Sequence, residues 1–351
     1  MITVSVCMIV KNEEAVLARC LDSLCKLVEE IIIVDTGSTD NTKKIAKQYT
    51  DQVYDYAWSD NFAEARNFAF SKAHMDYIYS ADADEVLDEE NQKKFLILKQ
   101  AMLPEIEIVQ MHYLTDMRFN TTENYVRDIR PKLYKRLRSF TWIDPVHEMV
   151  NLEPVIYDSD IEIQHLPISK HQKRDFSIFE KMIERGEELS ERLLKMYARE
   201  LYLSGEAGDF EAAQSYFLKK YYDYMKNGKK MDDVAKMLAA VLCKGAYLNR
   251  NDRLLTKIAL QDLTTGSSAE VCFVLGEYYF SCKEYEDALQ WYQCAAHSTE
   301  SFLDVHSSGD DALLSVARVL ELREDEADRQ QAMEYRQMAL VWKSEHGFSI
   351  S

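Results

Sequence analysis

Residues Thr3 to Val10 form an unbroken apolar run, followed by Lys11, Asn12 and Glu13, after which Val16, Leu17, Cys20, Leu21 and Leu24 recur at helical spacing. The pattern predicts strand, polar turn, helix. Glu30 to Val34 is again apolar without alternation, as in a parallel strand covered on both faces, and it ends at Asp35. Gly37, Ser38, Thr39 and Asp40 predict a tight turn in which Ser38 or Thr39 caps a helix carrying Ile45 and Ala46. A short strand over Gln52 to Tyr56 follows, then a helix over Phe62 to His74 with an apolar stripe of Phe62, Ala65, Ala69, Phe70 and Ala73. The run Tyr77 to Val86, YIYSADADEV, is aromatic and apolar and stops abruptly at Asp82, Asp84 and Glu85.

Strands alternating with helices over roughly the first hundred residues indicate an α/β domain with a largely parallel sheet. Residues 105 to 165 differ: Ile106 to Tyr113, Val126 to Arg138 and Val155 to Gln164 are extended runs between polar turns, and they predict an antiparallel extension of the same domain. From about Lys170 the pattern is helical throughout. In Cys272 to Ala295 the positions of Leu275, Gly276, Tyr279, Ala288, Tyr292 and Ala295 fit a helix-turn-helix repeat, and GDFEAAQSYF around Ala213 parallels KEYEDALQWY around Ala288. A degenerate pair over Met231 to Leu260 and a looser one over Ala312 to Met338 complete a short solenoid. The expected division is an α/β domain over 1–168 followed by an all-α repeat domain over 169–351.

Composition narrows the partners. With 47% hydrophobic and 29% charged residues the chain is globular, and a formal charge of −18 argues against nucleic acid or an anionic membrane, both of which require a basic surface. No membrane span and no secretory signal is visible, and seven cysteines without a regular framework suit reduced thiols, so a cytoplasmic protein is expected.

Candidate chemistry gathers at strand ends. Three acids within four residues repel one another, and a divalent cation is the simplest neutralising partner. An isolated acidic turn of this kind is commonly just a capped, solvated turn; here Asp35 and Asp82 finish two strands of one sheet, where such sheets bind ligands. Arg66 falls in the middle of the Phe62 helix's apolar stripe and requires an anion, either a ligand phosphate or a nearby aspartate. Arg127, Arg130, Lys132, Lys135, Arg136 and Arg138 form the densest basic stretch of the domain; such runs are usually solvated, but an acidic protein that binds a phosphorylated ligand needs some of them. His147 and Glu148 form a lone pair further on.

Taken in order, SVCMIVKNEE, IIIVDTGSTDNT, FAEARNFAF, YIYSADADE and the later VHE resemble the inverting family-2 glycosyltransferases with the GT-A, Rossmann-like nucleotide-sugar-binding fold. The carboxy-terminal repeats resemble tetratricopeptide repeats, and the pairing resembles bacterial peptide and protein glycosyltransferases, peptide S-glycosyltransferases among them. The resemblance implies a nucleotide diphosphate sugar donor, a UDP-sugar by expectation, and Mn²⁺ or Mg²⁺ as cofactor. On this chain's residues it implies that Asn12, Glu13, Asp35, Arg66 and Asp82 serve the nucleotide, that Asp84 binds the metal with Asp82 beside it, and that His147 adds a further ligand. Family members often carry a second acid after the first strand-end aspartate, where this chain has Thr36. Arg130 and Lys132 would steady the departing diphosphate, and Glu148, with Glu85 second, is the candidate base. The acceptor expected is a peptide or protein engaged with the repeats, in a chain that can form a homodimer. Two alternatives are a transferase for glycans or small molecules whose repeats serve oligomerisation, and a scaffold that has lost its chemistry.

Overall fold

A computed structural model describes residues 1–115, 127–137, 142–147, 149–150, 154–167, 172–228, 232–264, 266–323, 325–346 and 348. They fall into two compact units that meet in sequence between Pro167 and Gln172. In the first, strands β1 (Val4–Val10), β2 (Glu30–Asp35), β3 (Val53–Asp55), β4 (Tyr77–Ala81), β5 (Glu85–Val86), β6 (Ile108–Thr115) and β7 (Arg127–Lys135) are followed by a separate two-stranded ribbon, β8 (Trp142–Ile143) with β9 (Met149–Val150), and by β10 (Ile156–His165). Helices α1 (Leu17–Leu24), α2 (Thr42–Ala46), α3 (Phe62–Phe70) and α4 (Glu89–Ala101) intervene. The main sheet has the order β3-β2-β1-β4-β7-β6-β10-β5.

The parallel core β3-β2-β1-β4 follows from the unalternating apolar runs. Val4, Val6 and Met8 of β1 pack with Leu17, Leu21 and Phe95 on one face, and Cys7 packs with Ile32, Val34, Ala69 and Ile78 on the other. Both faces are dry, so both sets of alternate residues are apolar. β7 runs antiparallel to β4 and β6, as the sequence suggests, but β10 pairs parallel to β6, which corrects the expectation of a wholly antiparallel extension. α4 is a helix that the hydrophobic pattern does not announce. Its buried stripe is Asn91, Phe95 and Lys99, two of them polar. Asn91 Oδ1 accepts from Glu162 N at 2.8 Å, and Lys99 Nζ donates to Leu27 O at 2.6 Å and to Glu29 Oε1 at 2.8 Å, so both are buried with partners.

The second unit is helical: α5 (Gln172–Glu184), α6 (Glu191–Ser204), α7 (Ala207–Lys226), α8 (Asp233–Leu248), α9 (Asp252–Leu263), α10 (Ala269–Ser281), α11 (Tyr285–His297), α12 (Asp310–Glu321) and α13 (Glu326–Glu345). Successive helices from α7 to α9 and from α10 to α13 pack side by side, a tetratricopeptide-like arrangement. Gly276 shows why the repeat needs a small residue: a Cβ there would lie 2.5 Å from the ring of Tyr292 across the α10–α11 contact.

Candidate active site

β1, β2 and β4 are adjacent and parallel, so the residues after their carboxyl ends share one edge of the sheet. At the end of β2, Asp35 is buried, 1% exposed. Its Oδ1 accepts from Gly37 N at 3.0 Å and Ser38 N at 2.9 Å, while Lys43 Nζ stands 3.6 Å away. Its Oδ2 is buried without a hydrogen-bond partner among the described residues. The β1 turn closes over this one: Asn12, left-handed at φ 56°, donates through its N–H to Ser38 Oγ at 2.9 Å and accepts at Oδ1 from Thr39 N at 2.8 Å. Glu13 N donates to Thr42 Oγ1 at 2.7 Å. Ser38 and Thr39 therefore join the two turns instead of capping α2, whose first N–H, that of Thr42, is met by Asp40 Oδ1 at 2.9 Å.

At the end of β4 the acids separate into different environments. Asp82 Oδ1 accepts from Arg66 Nη2 at 3.0 Å, and Arg66 Nη1 donates to Ser80 Oγ at 2.9 Å. Arg66 thus finds its anion within the protein. The Asp82 Oδ2 oxygen lies 3.9 Å from Lys132 Nζ. Burial alone would push the Asp82 carboxyl up, but Arg66 and Lys132 outweigh it and hold it well below the usual carboxylate range. Glu85 is 2% exposed, and its Oε1 accepts from Lys132 Nζ at 2.7 Å. Burial pushes its carboxyl up to about 7 against the pull of Lys132, with repulsion from Asp82 adding to the rise. Glu85 sits as an interior counter-ion of Lys132, and its second oxygen has no hydrogen-bond partner among the described residues.

Asp84 faces a residue the sequence did not single out. His165, the last residue of β10, has Nε2 3.1 Å from Asp84 Oδ2, and its Nδ1 lies 3.1 Å from Thr115 Oγ1. β5 pairs with the end of β10, Glu85 opposite His165, and Leu166 N donates to Asp84 O at 3.0 Å. These pairings bring the histidine to the acid turn. Tyr113 lies beneath: its ring is 5.0 Å from that of His165 and 4.0 Å from the Arg130 guanidinium. Arg130 also donates from Nε to Asp128 Oδ2 at 3.1 Å and is 40% exposed, unlike the buried Lys132 two residues on.

His147 closes the Trp142–His147 segment in a left-handed conformation, φ 48°. Glu148 and Arg138 lie outside the described residues. Among the described residues no three His, Cys, Asp or Glu side chains are gathered at metal-binding spacing, but Asp84 and His165 present an oxygen and a nitrogen to each other, a donor pair that suits a divalent cation of the Mn²⁺ type.

Residues 5–150 match the family model of glycosyl transferase family 2. The first unit carries a family 2 glycosyltransferase domain. Among curated proteins, this chain is 28% identical over 275 residues to the SPbeta prophage-derived glycosyltransferase SunS of Bacillus subtilis, covering 75% of this chain and 63% of that protein. It is 45% identical over 87 residues to a TPR repeat-containing protein of Synechococcus elongatus, covering 25% of this chain and 22% of the other. The chain thus spans less than two thirds of the length of these relatives. A crystal structure of glucosyl-3-phosphoglycerate synthase from Mycobacterium tuberculosis with Mn²⁺ and UDP-glucose superposes at a TM-score of 0.38 and 16% identity, covering 54% of this chain and 81% of that one. Asp35, Asp82, Asp84 and Glu85 fall within the matched span. His165 lies beyond the matched span.

Proposed function

We propose that this protein is a metal-dependent inverting transferase that moves a sugar from a UDP-sugar to a peptide or protein side chain. The observation that carries the reading is the division of labour along one sheet edge: a buried acceptor oxygen at Asp35, an Asp82 kept charged by Arg66 and Lys132, and an Asp84 opposed by His165. Asp35 Oδ2 suits an N–H donor of a nucleobase. Asp84 and His165 would hold Mn²⁺ or Mg²⁺, with Asp82 beside them, and the cation would offset the charge of the diphosphate. Arg130, half-buried at the same edge, adds a fixed positive charge for the leaving group.

In the transfer, a bond forms between the acceptor heteroatom and the anomeric carbon while the bond from that carbon to the β-phosphate oxygen breaks. The nucleoside diphosphate leaves with the electron pair, and the acceptor proton passes to a carboxylate. Glu148 is the proposed base, since the Glu85 carboxylate is committed to Lys132. The repeat unit supports a peptide acceptor, because stacked helical repeats offer extended surfaces for extended partners. The test is UDP release from UDP-glucose with Mn²⁺: D84A should lose at least about a hundredfold in rate, the scale of removing one transition-state charge contact. Unchanged release in D84A would refute the metal assignment.

A further inference from the structure

We infer that Asn67 is a positioning residue that fastens the Trp142–His147 segment, which leads into Glu148, to the helix that also holds the acid turn; the inference rests on the transferase reading above. α3 presents two consecutive side chains in two directions. Arg66 reaches the acid turn, and Asn67 reaches the backbone of Trp142. Asn67 Oδ1 accepts from Trp142 N at 2.8 Å, and Asn67 Nδ2 donates to Trp142 O at 3.0 Å, so one carboxamide pairs with both polar backbone groups of one residue, as a neighbouring strand would. A third bond joins the same elements: Phe62 N, in the first turn of α3 and without a helical acceptor, donates to Pro145 O at 2.8 Å.

The side chain of Trp142 reinforces the attachment. It is 8% exposed, packs edge-on against Phe70 and Tyr134 at ring distances of 5.7 and 5.5 Å, and lies 5.2 Å from the Arg66 guanidinium. The segment so held contains two non-glycine residues in the left-handed region, Asp144 at φ 68° and His147 at φ 48°. Such conformations persist where the surroundings over-determine them, and they concentrate at functional sites. The Asn67 clamp and the Phe62 bond contribute to that determination. Among the described residues the Asn67 carboxamide bonds to the Trp142 backbone and to neither Asp35 nor Asp84, so its loss loosens the segment without removing a hydrogen bond of the donor-binding acids.

The full chain is compared with N67A and N67D. The aspartate is the size of asparagine, keeps an acceptor for Trp142 N and replaces the donor to Trp142 O by an oxygen. UDP binding is measured calorimetrically with Mn²⁺, and UDP release from UDP-glucose is followed with water as acceptor. In both variants the Kd for UDP and the KM for UDP-glucose should stay within about twofold of the parent, while kcat falls by about tenfold to a hundredfold, the scale of a misplaced reacting group. A normal kcat in variants that bind UDP would overturn the assignment. So would a parallel loss of binding and kcat, which would make Asn67 part of the donor pocket. If N67A does not fold, N67D decides. A parent chain that neither binds UDP nor releases it from UDP-glucose would instead remove the transferase reading, and this inference with it.

Discussion

At the residue scale, the strand-end acids differ because their neighbours differ. Asp82 has two cations, Glu85 has one cation and burial, and Asp84 has an imidazole. Loss of an outer-shell partner of a metal ligand already weakens metal binding tenfold or more, so a lost ligand should do at least as much. H165A should therefore raise the Mn²⁺ concentration that half-saturates UDP binding by about tenfold, whereas H147A should leave it unchanged; the opposite order would return the role to His147. The acids and Arg66 were legible in the sequence because their signals are local: an apolar run that ends in charge, and an arginine at a helical phase that turns it inward. His165 was not. It carries no motif, and only the pairing of Glu85 with His165 puts it opposite Asp84. Lys132 and Arg130 read alike in a basic run, and only the structure separates the buried one from the half-buried one.

At the scale of elements, the parallel strands were legible because both of their faces are dry, and α4 was hidden because it buries Asn91 and Lys99 through hydrogen bonds that hydrophobic periodicity does not register. Glu30, at the start of β2, ties several elements together in the same way. Its carboxylate accepts from Ser5 Oγ on β1 at 2.5 Å, from His74 N at 2.9 Å and from Gln52 Nε2 at 3.1 Å. Burial alone would raise its carboxyl, but these hydrogen bonds prevail and lower it from 4.5 to about 2. Because the folded value lies below the unfolded one, this stabilisation is complete above about pH 4.5 and is lost as the pH falls through about 2. E30Q should therefore be less stable than the parent at pH 7, and the gap should narrow between pH 4.5 and 2 in denaturant titrations. A gap independent of pH would show that the charge of Glu30 contributes nothing.

At the scale of the whole molecule, two compact units with separate cores make unfolding in more than one step the expected behaviour. G276V places branched carbon where a single Cβ would already lie 2.5 Å from Tyr292, and overpacking of this kind costs about 1–3 kcal/mol. Differential scanning calorimetry should show one transition lowered by several degrees, on the order of 5 °C, and another unmoved, with UDP binding retained. A uniform shift of the whole profile would mean that the two units unfold as one. The Glu85–His165 pairing has a consequence in time as well as in space. Its two strands lie about eighty residues apart in the chain, so closing that loop carries a large entropic cost before any contact rewards it. During synthesis, β1, β2 and β4 can associate while β10 is still unmade, and the acid turn stays without its histidine until nearly the whole first unit has left the ribosome. On the function proposed above, competence to hold the donor is therefore among the last properties that the nascent domain acquires.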